Sequence, residues 1–290
     1  MLAKRVITAV VLLAALLPAI FVASPWVWSA LSLGFLTAAG FEWGRLLGAP
    51  LPIAAGRRVA PPPDAIGLAA CLALVGIVAL LLRERAPWPP AVLVGAMAIL
   101  TGWWLVAGVG HLRRHEARSR GGALIPALLL LGCWIALDEL RRIGPAALLS
   151  AMAVVWIADI AAYFAGRAFG RRKLAPAISP GKTWEGVAGA MLAVVLIGLM
   201  VAHLGGSTGL QAAWLPSVLV AGFGLAGAAL TLVALVGLSI VGDLHESMLK
   251  RQAGVKDSGG TLPGHGGVLD RIDALIPTMP AVLLLHRLAA

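Results

Sequence analysis

The residues best equipped for chemistry gather near the end of the chain. Between Asp243 and Asp273 lie five of the 13 carboxylates, four of the 23 Lys and Arg and two of the six His, in a protein that is 60% hydrophobic. Ionisable groups bordering a membrane are costly and usually functional. If a helix runs through Asp243, then Glu246, Ser247 and Lys250 share its face at i+3, i+4 and i+7. Four residues of helix rise about 6 Å, so Asp243 and Ser247 can offer oxygens to one cation. Mg2+ is bound this way, by one or two carboxylates together with substrate phosphates. The competing reading is a helix end dressed with solvated charges. Downstream, Leu262-Pro263-Gly264-His265-Gly266-Gly267 leads into another apolar run. Glycines let backbone N–H groups approach a ligand, and a helix start after such a turn suits phosphate. Asp270 and Asp273 then fall one turn apart with Arg271 between them. His265 is a candidate phosphate ligand or proton donor, set against the ordinary surface histidine that most loops carry.

A second polar segment runs from Asp159 to Gly186. Asp159 sits inside an apolar run, where an aspartate is a functional candidate by default and faces the bundle interior. Tyr163, the chain's one tyrosine, is four residues on. Arg167, Arg171, Arg172 and Lys173 can hold phosphate or anionic headgroups, although topology alone accounts for many such charges. Gly181-Lys182-Thr183 invites a P-loop reading, but the position where that loop needs its first glycine is Pro176 and no strand is expected before it. Ser179 and Lys182 stay as phosphate contacts, and Thr183 and Glu185 as a helix start.

What must position these groups is a set of membrane helices. The chain has 290 residues, 12% of them charged, and a mean hydropathy of +0.94. A soluble domain carries about 25% charged residues. The fold expected is therefore all-α, a polytopic integral membrane bundle of about nine spans near 5–23, 26–43, 64–82, 89–109, 121–137, 145–165, 186–204, 215–241 and 273–290. The first run is too long for a signal peptide and is read as a retained span kinked at Pro18. The ninth, with Pro277, Pro280, His286 and Arg287, is the weakest signal. With the N-terminus inside, 18 of the 23 Lys and Arg fall on cytoplasmic segments, which also places Gly242–Asp273 there. Trp26, Trp28, Trp43, Trp88, Trp103, Trp104 and Trp214 lie near span ends, as an interfacial belt or as packing. Cys71 and Cys133 read as small buried hydrophobes. The net charge of +10 reports topology rather than nucleic acid, which is not expected as a partner. Residues 1–120 read as N-terminal membrane helices without polar motifs, and 121–290 as the catalytic half.

The motifs resemble the phosphatidate cytidylyltransferase (CDP-diacylglycerol synthase) family. Ser247, Lys250, Arg251, Lys256, Asp257, Leu262, Pro263, His265, Gly266, Gly267, Asp270, Arg271 and Asp273 match its signature, and the segments around Asp159, Ser179–Gly186 and Gly242–Ser247 are similar to it as well. Ile160 departs from it, standing where many members have a hydroxyl residue. The resemblance implies a bacterial inner-membrane enzyme, homodimeric, that joins CTP to phosphatidate on the cytoplasmic side with Mg2+ and a second cation such as K+. Asp243, Ser247 and Asp270 would then belong to the metal-centred site. Asp243, Asp270, Lys250, Arg251 and His265 would be the catalytic set. Asp159, Tyr163, Arg167, Ser179, Lys182, Lys256, Gly266, Gly267 and Arg271 would bind substrate. The rival from another class is an ion-coupled transporter using Asp159 and Asp243.

Overall fold

The computed structural model describes residues 2–48, 63–116, 122–205, 214–262, 264 and 266–289. Its apolar runs are helices, because backbone groups in hydrocarbon must be satisfied within their own segment. In order they are α1 (Leu2–Phe21), α2 (Pro25–Gly48), α3 (Pro63–Arg85), α4 (Pro90–Trp103), a π turn (Trp104–Gly108) into α5 (Val109–Arg114), α6 (Leu124–Ile143), α7 (Pro145–Phe169), α8 (Trp184–Gly205), α9 (Leu215–Gln252), α10 (Leu269–Ile272) and α11 (Leu275–Ala289). The chain is an integral membrane protein with an all-helical polytopic fold. Among the described residues, six helical segments are long and apolar enough to cross a membrane, against about nine expected. The difference is α1, α2 and α6, of 20, 24 and 20 residues. In α6 the apolar stretch is cut short by Asp138, Glu139, Arg141 and Arg142 at its end. Pro18 lies inside α1, in its last turn.

The weakest sequence signal turns out to be the most enclosed helix. In α11 every residue from Leu275 to Leu283 is buried, packed against α4, α6, α7 and α9. Its prolines are tolerated because the neighbours enclose the backbone they disturb. The lipid-facing surfaces are elsewhere: α3 exposes Leu74, Ile77 and Leu81, and α8 exposes Leu192, Leu196 and Met200. Cys133 is buried as expected, but Cys71 is exposed on α3, where hydrocarbon solvates a small apolar group as well as a core does. The tryptophans divide in the same way. Trp26 is exposed, whereas Trp28, Trp43 and Trp104 are buried, and the last two pack with Trp103 around His245.

One strand pair was not expected. Lys173–Ala175 (β1) and Ser179–Thr183 (β2) form a small antiparallel hairpin between α7 and α8. Thr183 Oγ1 accepts the Gly186 N–H at 3.2 Å and so starts α8 as the sequence predicts. The Glu185 carboxylate accepts the Arg172 N–H at 3.2 Å and ties the hairpin down. α9 is broken at Gly224, whose φ of 68° a side chain would resist. Residues 225–252 then make roughly 42 Å of helix at about 1.5 Å per residue. That exceeds the ~30 Å hydrocarbon thickness, so the helix carries Asp243–Gln252 toward one membrane surface. This end of the bundle, with the hairpin and the glycine loop, is the motif end.

A second charged region occupies the far end. Glu139 pairs with Arg83 at 2.5 Å and Arg287 at 3.2 Å; Arg142 pairs with Glu84 at 2.5 Å and Asp138 at 2.9 Å. Ser29 donates to Asp138, and Arg141 donates to the Ala23 carbonyl at 2.9 Å. Arg83, Arg142 and Arg287, on α3, α6 and α11, are thus partners of carboxylates near the ends of α3 and α6.

Candidate active site

At the motif end α7, the hairpin, α8 and α9 enclose a cavity of about 460 Å3. Small residues on α7 and α8 set its narrow side: Gly186 and Gly189 lie against the α7 backbone and Ala165, as close helix crossings in membranes require. Six of the residues singled out in the sequence line it: Asp159, Tyr163, Arg167, Ser179, Lys182 and Asp243. Asp159 and Tyr163 come from one face of α7, and Arg167 donates to the Tyr163 hydroxyl at 2.9 Å. The hairpin carries Lys182 across to an ion pair with Asp243 on α9. Ser247, one turn on, reaches Asp243 at 3.4 Å. The cavity thus combines cations and carboxylates over apolar walls, and its volume lies in the range of small-molecule sites.

A second cluster adjoins the Asp243 face of α9. Lys250 pairs with Glu246 and with Asp270, both at 2.6 Å. The other Asp270 oxygen accepts the N–H groups of Ser258 at 3.0 Å and Gly267 at 2.7 Å. Gly266 has φ 83° and bridges back to Leu262, which folds the loop onto this carboxylate. Asp270 therefore organises the glycine loop and holds Lys250. Among the described residues no three His, Cys, Asp or Glu side chains gather as a preformed metal cage. Asp243 with Ser247 offers a partial oxygen set, suited to an ion that takes its other ligands from a polyphosphate.

The remaining expected site residues are dispersed. Arg251 and Lys256 are exposed near the end of α9 and in the following loop. Arg271 lines a separate apolar crevice with Trp28, Trp134 and Trp156, away from the polar cavity. His265 falls outside the described residues. One residue without a sequence-assigned role lies at the centre of the loop. Glu42, on α2 and 1% exposed, accepts Ser258 Oγ at 2.9 Å, Thr261 Oγ1 at 2.5 Å, and the N–H groups of Val268 at 3.1 Å and Leu269 at 2.8 Å. The signal that could have found it is that Glu42 is the first carboxylate of the chain, within an apolar helix.

The fold and the cavity define a helical membrane protein with a mixed-charge cavity at one end. Residues 3–289 match the cytidylyltransferase family model, and the chain belongs to that family. A phosphatidate cytidylyltransferase of Pseudomonas aeruginosa is 40% identical over 288 residues, covering 97% of this chain and 95% of that one. The Haemophilus influenzae protein of that name is 47% identical over 133 residues, 46% of this chain and 43% of the other. The Bacillus subtilis one is 40% identical over 155 residues, 52% of this chain and 51% of the other.

Proposed function

We propose that this protein transfers the cytidylyl group of CTP to phosphatidate, giving CDP-diacylglycerol and pyrophosphate at the cytoplasmic face of a bacterial inner membrane. The observation that carries the reading is the likeness, along nearly the whole chain, to a protein named phosphatidate cytidylyltransferase. A phosphate oxygen of the lipid attacks the α-phosphorus of CTP. The bond from that phosphorus to the bridging oxygen breaks, and pyrophosphate leaves with the electron pair. The nucleophile is already anionic, so no strong base is required.

What the site must overcome is repulsion between two polyanions. Asp243 and Ser247 would hold a Mg2+ ion, whose charge supports the leaving phosphates when it is bound. Asp270, released by Lys250, would join that set, and K+ stands as a candidate second ion. With a cation held at Asp243, Lys182 would be released to phosphate, and Arg167 would add a second positive group in the cavity. Asp159, Tyr163 and Ser179 shape the cleft and orient the bound groups. The lipid enters sideways, between helices, so its acyl chains stay in the bilayer. A homodimer completes the proposal.

The transporter reading finds no support. The family and the relatives are cytidylyltransferases, and Asp159 and Asp243 share a cavity at one end of the bundle. The test is an assay of the purified full-length protein with radiolabelled CTP, phosphatidate and Mg2+. Label in a CDP-lipid with equimolar pyrophosphate is expected. No labelled lipid under any divalent cation would overturn the proposal.

A further inference from the structure

We propose that Glu42 is a positioning residue for the active site, holding the glycine loop so that Asp270 and Lys250 face the reacting phosphates. The role rests on the reading of the site as a cytidylyl-transfer centre. The geometry is specific. Oε1 accepts from the Thr261 hydroxyl and the Val268 N–H; Oε2 accepts from the Ser258 hydroxyl and the Leu269 N–H. Four donors fill the acceptor capacity of an ionised carboxylate. Two of them are N–H groups at the start of α10, which have no partner within their own helix. The clamp and the Asp270 network share their supports. Ser258 gives its hydroxyl to Glu42 and its N–H to Asp270, and Gly267, which bonds Asp270, is followed directly by the two residues bonded to Glu42. A Cβ at Gly267 would strike both Glu42 and the Ser258 hydroxyl, so the loop is folded tightly onto this carboxylate.

The backbone donors give a chemical discriminator. A hydroxyl can turn and accept; an N–H cannot. Each Glu42 oxygen faces one N–H, so an amide at this position opposes its own NH2 to a backbone donor in either orientation. Glu42→Gln preserves size and shape while breaking one half of the clamp. Ser258→Ala removes a donor and leaves every backbone N–H paired.

Both variants are tested in the full-length purified protein by amide hydrogen exchange over residues 257–269 and by CTP-dependent lipid formation across a Mg2+ series. Glu42→Gln is expected to speed exchange at Val268 and Leu269. It should lower kcat and raise the half-activating Mg2+ concentration by about 10- to 100-fold in all, the usual scale for a residue that orients a site from behind. Ser258→Ala should shift both in the same direction by several-fold, about one ordinary hydrogen bond. Faster exchange with unchanged kcat and Mg2+ requirement would make the clamp purely structural and overturn the proposal. Unchanged exchange with lost activity would also overturn it. If Glu42→Gln does not fold, the same readouts on Ser258→Ala decide. A wild type that forms no CDP-lipid overturns the functional reading and this role with it, while the exchange data still report the clamp, so the two failures are told apart.

Discussion

At the far end of the bundle, Arg83, Arg142 and Arg287 meet Glu84, Asp138 and Glu139. At the motif end, Lys182 and Lys250 meet Asp243, Glu246 and Asp270. Charge density alone does not separate the two regions. What differs is the surroundings. The far-end ions come from helix termini and bond one another and the Ala23 carbonyl. At the motif end Lys182 and Asp243 line a cavity of about 460 Å3, while Lys250, Glu246 and Asp270 sit beside the glycine loop, and both sets use flexible lysines rather than planar arginine forks. A lysine on a flexible stem can leave a carboxylate for an arriving phosphate; an arginine shared between two helices pins them. One cluster therefore holds helices, and in the proposed reaction the other would exchange partners.

That contrast can be broken by experiment. The largest effect is all-or-none. In a protein carrying Cys71→Ser and Cys133→Ala, a cysteine at Arg114 should react only from the cytoplasmic side and one at Ala86 only from outside. Labelling of both from one side would end the two-face comparison. Next, Asp243→Ala should lower CTP-dependent lipid formation by about 10^3-fold, on the scale of losing preorganised charge at a reacting phosphate, with thermal stability retained. Full activity in the purified variant would remove Asp243 from the site. Glu139→Gln should do the reverse. Breaking a buried ion pair from one side costs about 3–5 kcal/mol, so the melting midpoint in detergent should fall while kcat per folded molecule stays unchanged. A selective loss of kcat would give the far end a catalytic role. The smallest effect is Tyr163→Phe, which removes the hydroxyl that accepts from Arg167 at 2.9 Å. One exposed hydrogen bond supports a change of only a few-fold in the KM for CTP.

Helix positions were legible because a long apolar run in a membrane has little choice but to be a helix. Asp159, Tyr163, Arg167, Ser179, Lys182 and Asp243 were legible as polar groups inside or beside such runs, and the fold brings all six to one cavity. The hairpin was not legible, since β1 and β2 are three and five residues long and sit among loop-forming glycines and prolines. Nor was the burial of α11, whose hydropathy is lowered by His286 and Arg287 at its end.

The sequence by itself determined the architecture and the chemical inventory: membrane helices, and carboxylates, lysines and glycines gathered into two polar segments. Those are local properties, set by hydropathy and helical period. Tertiary structure decided which groups became partners. It brought Asp243 to Lys182 across the hairpin and turned Arg271 toward a separate crevice. It also carried Glu42 from a helix near the chain's start to a loop more than 200 residues later. No spacing rule foresees that last contact, because pairing across such a distance depends on how α2 and α10 pack.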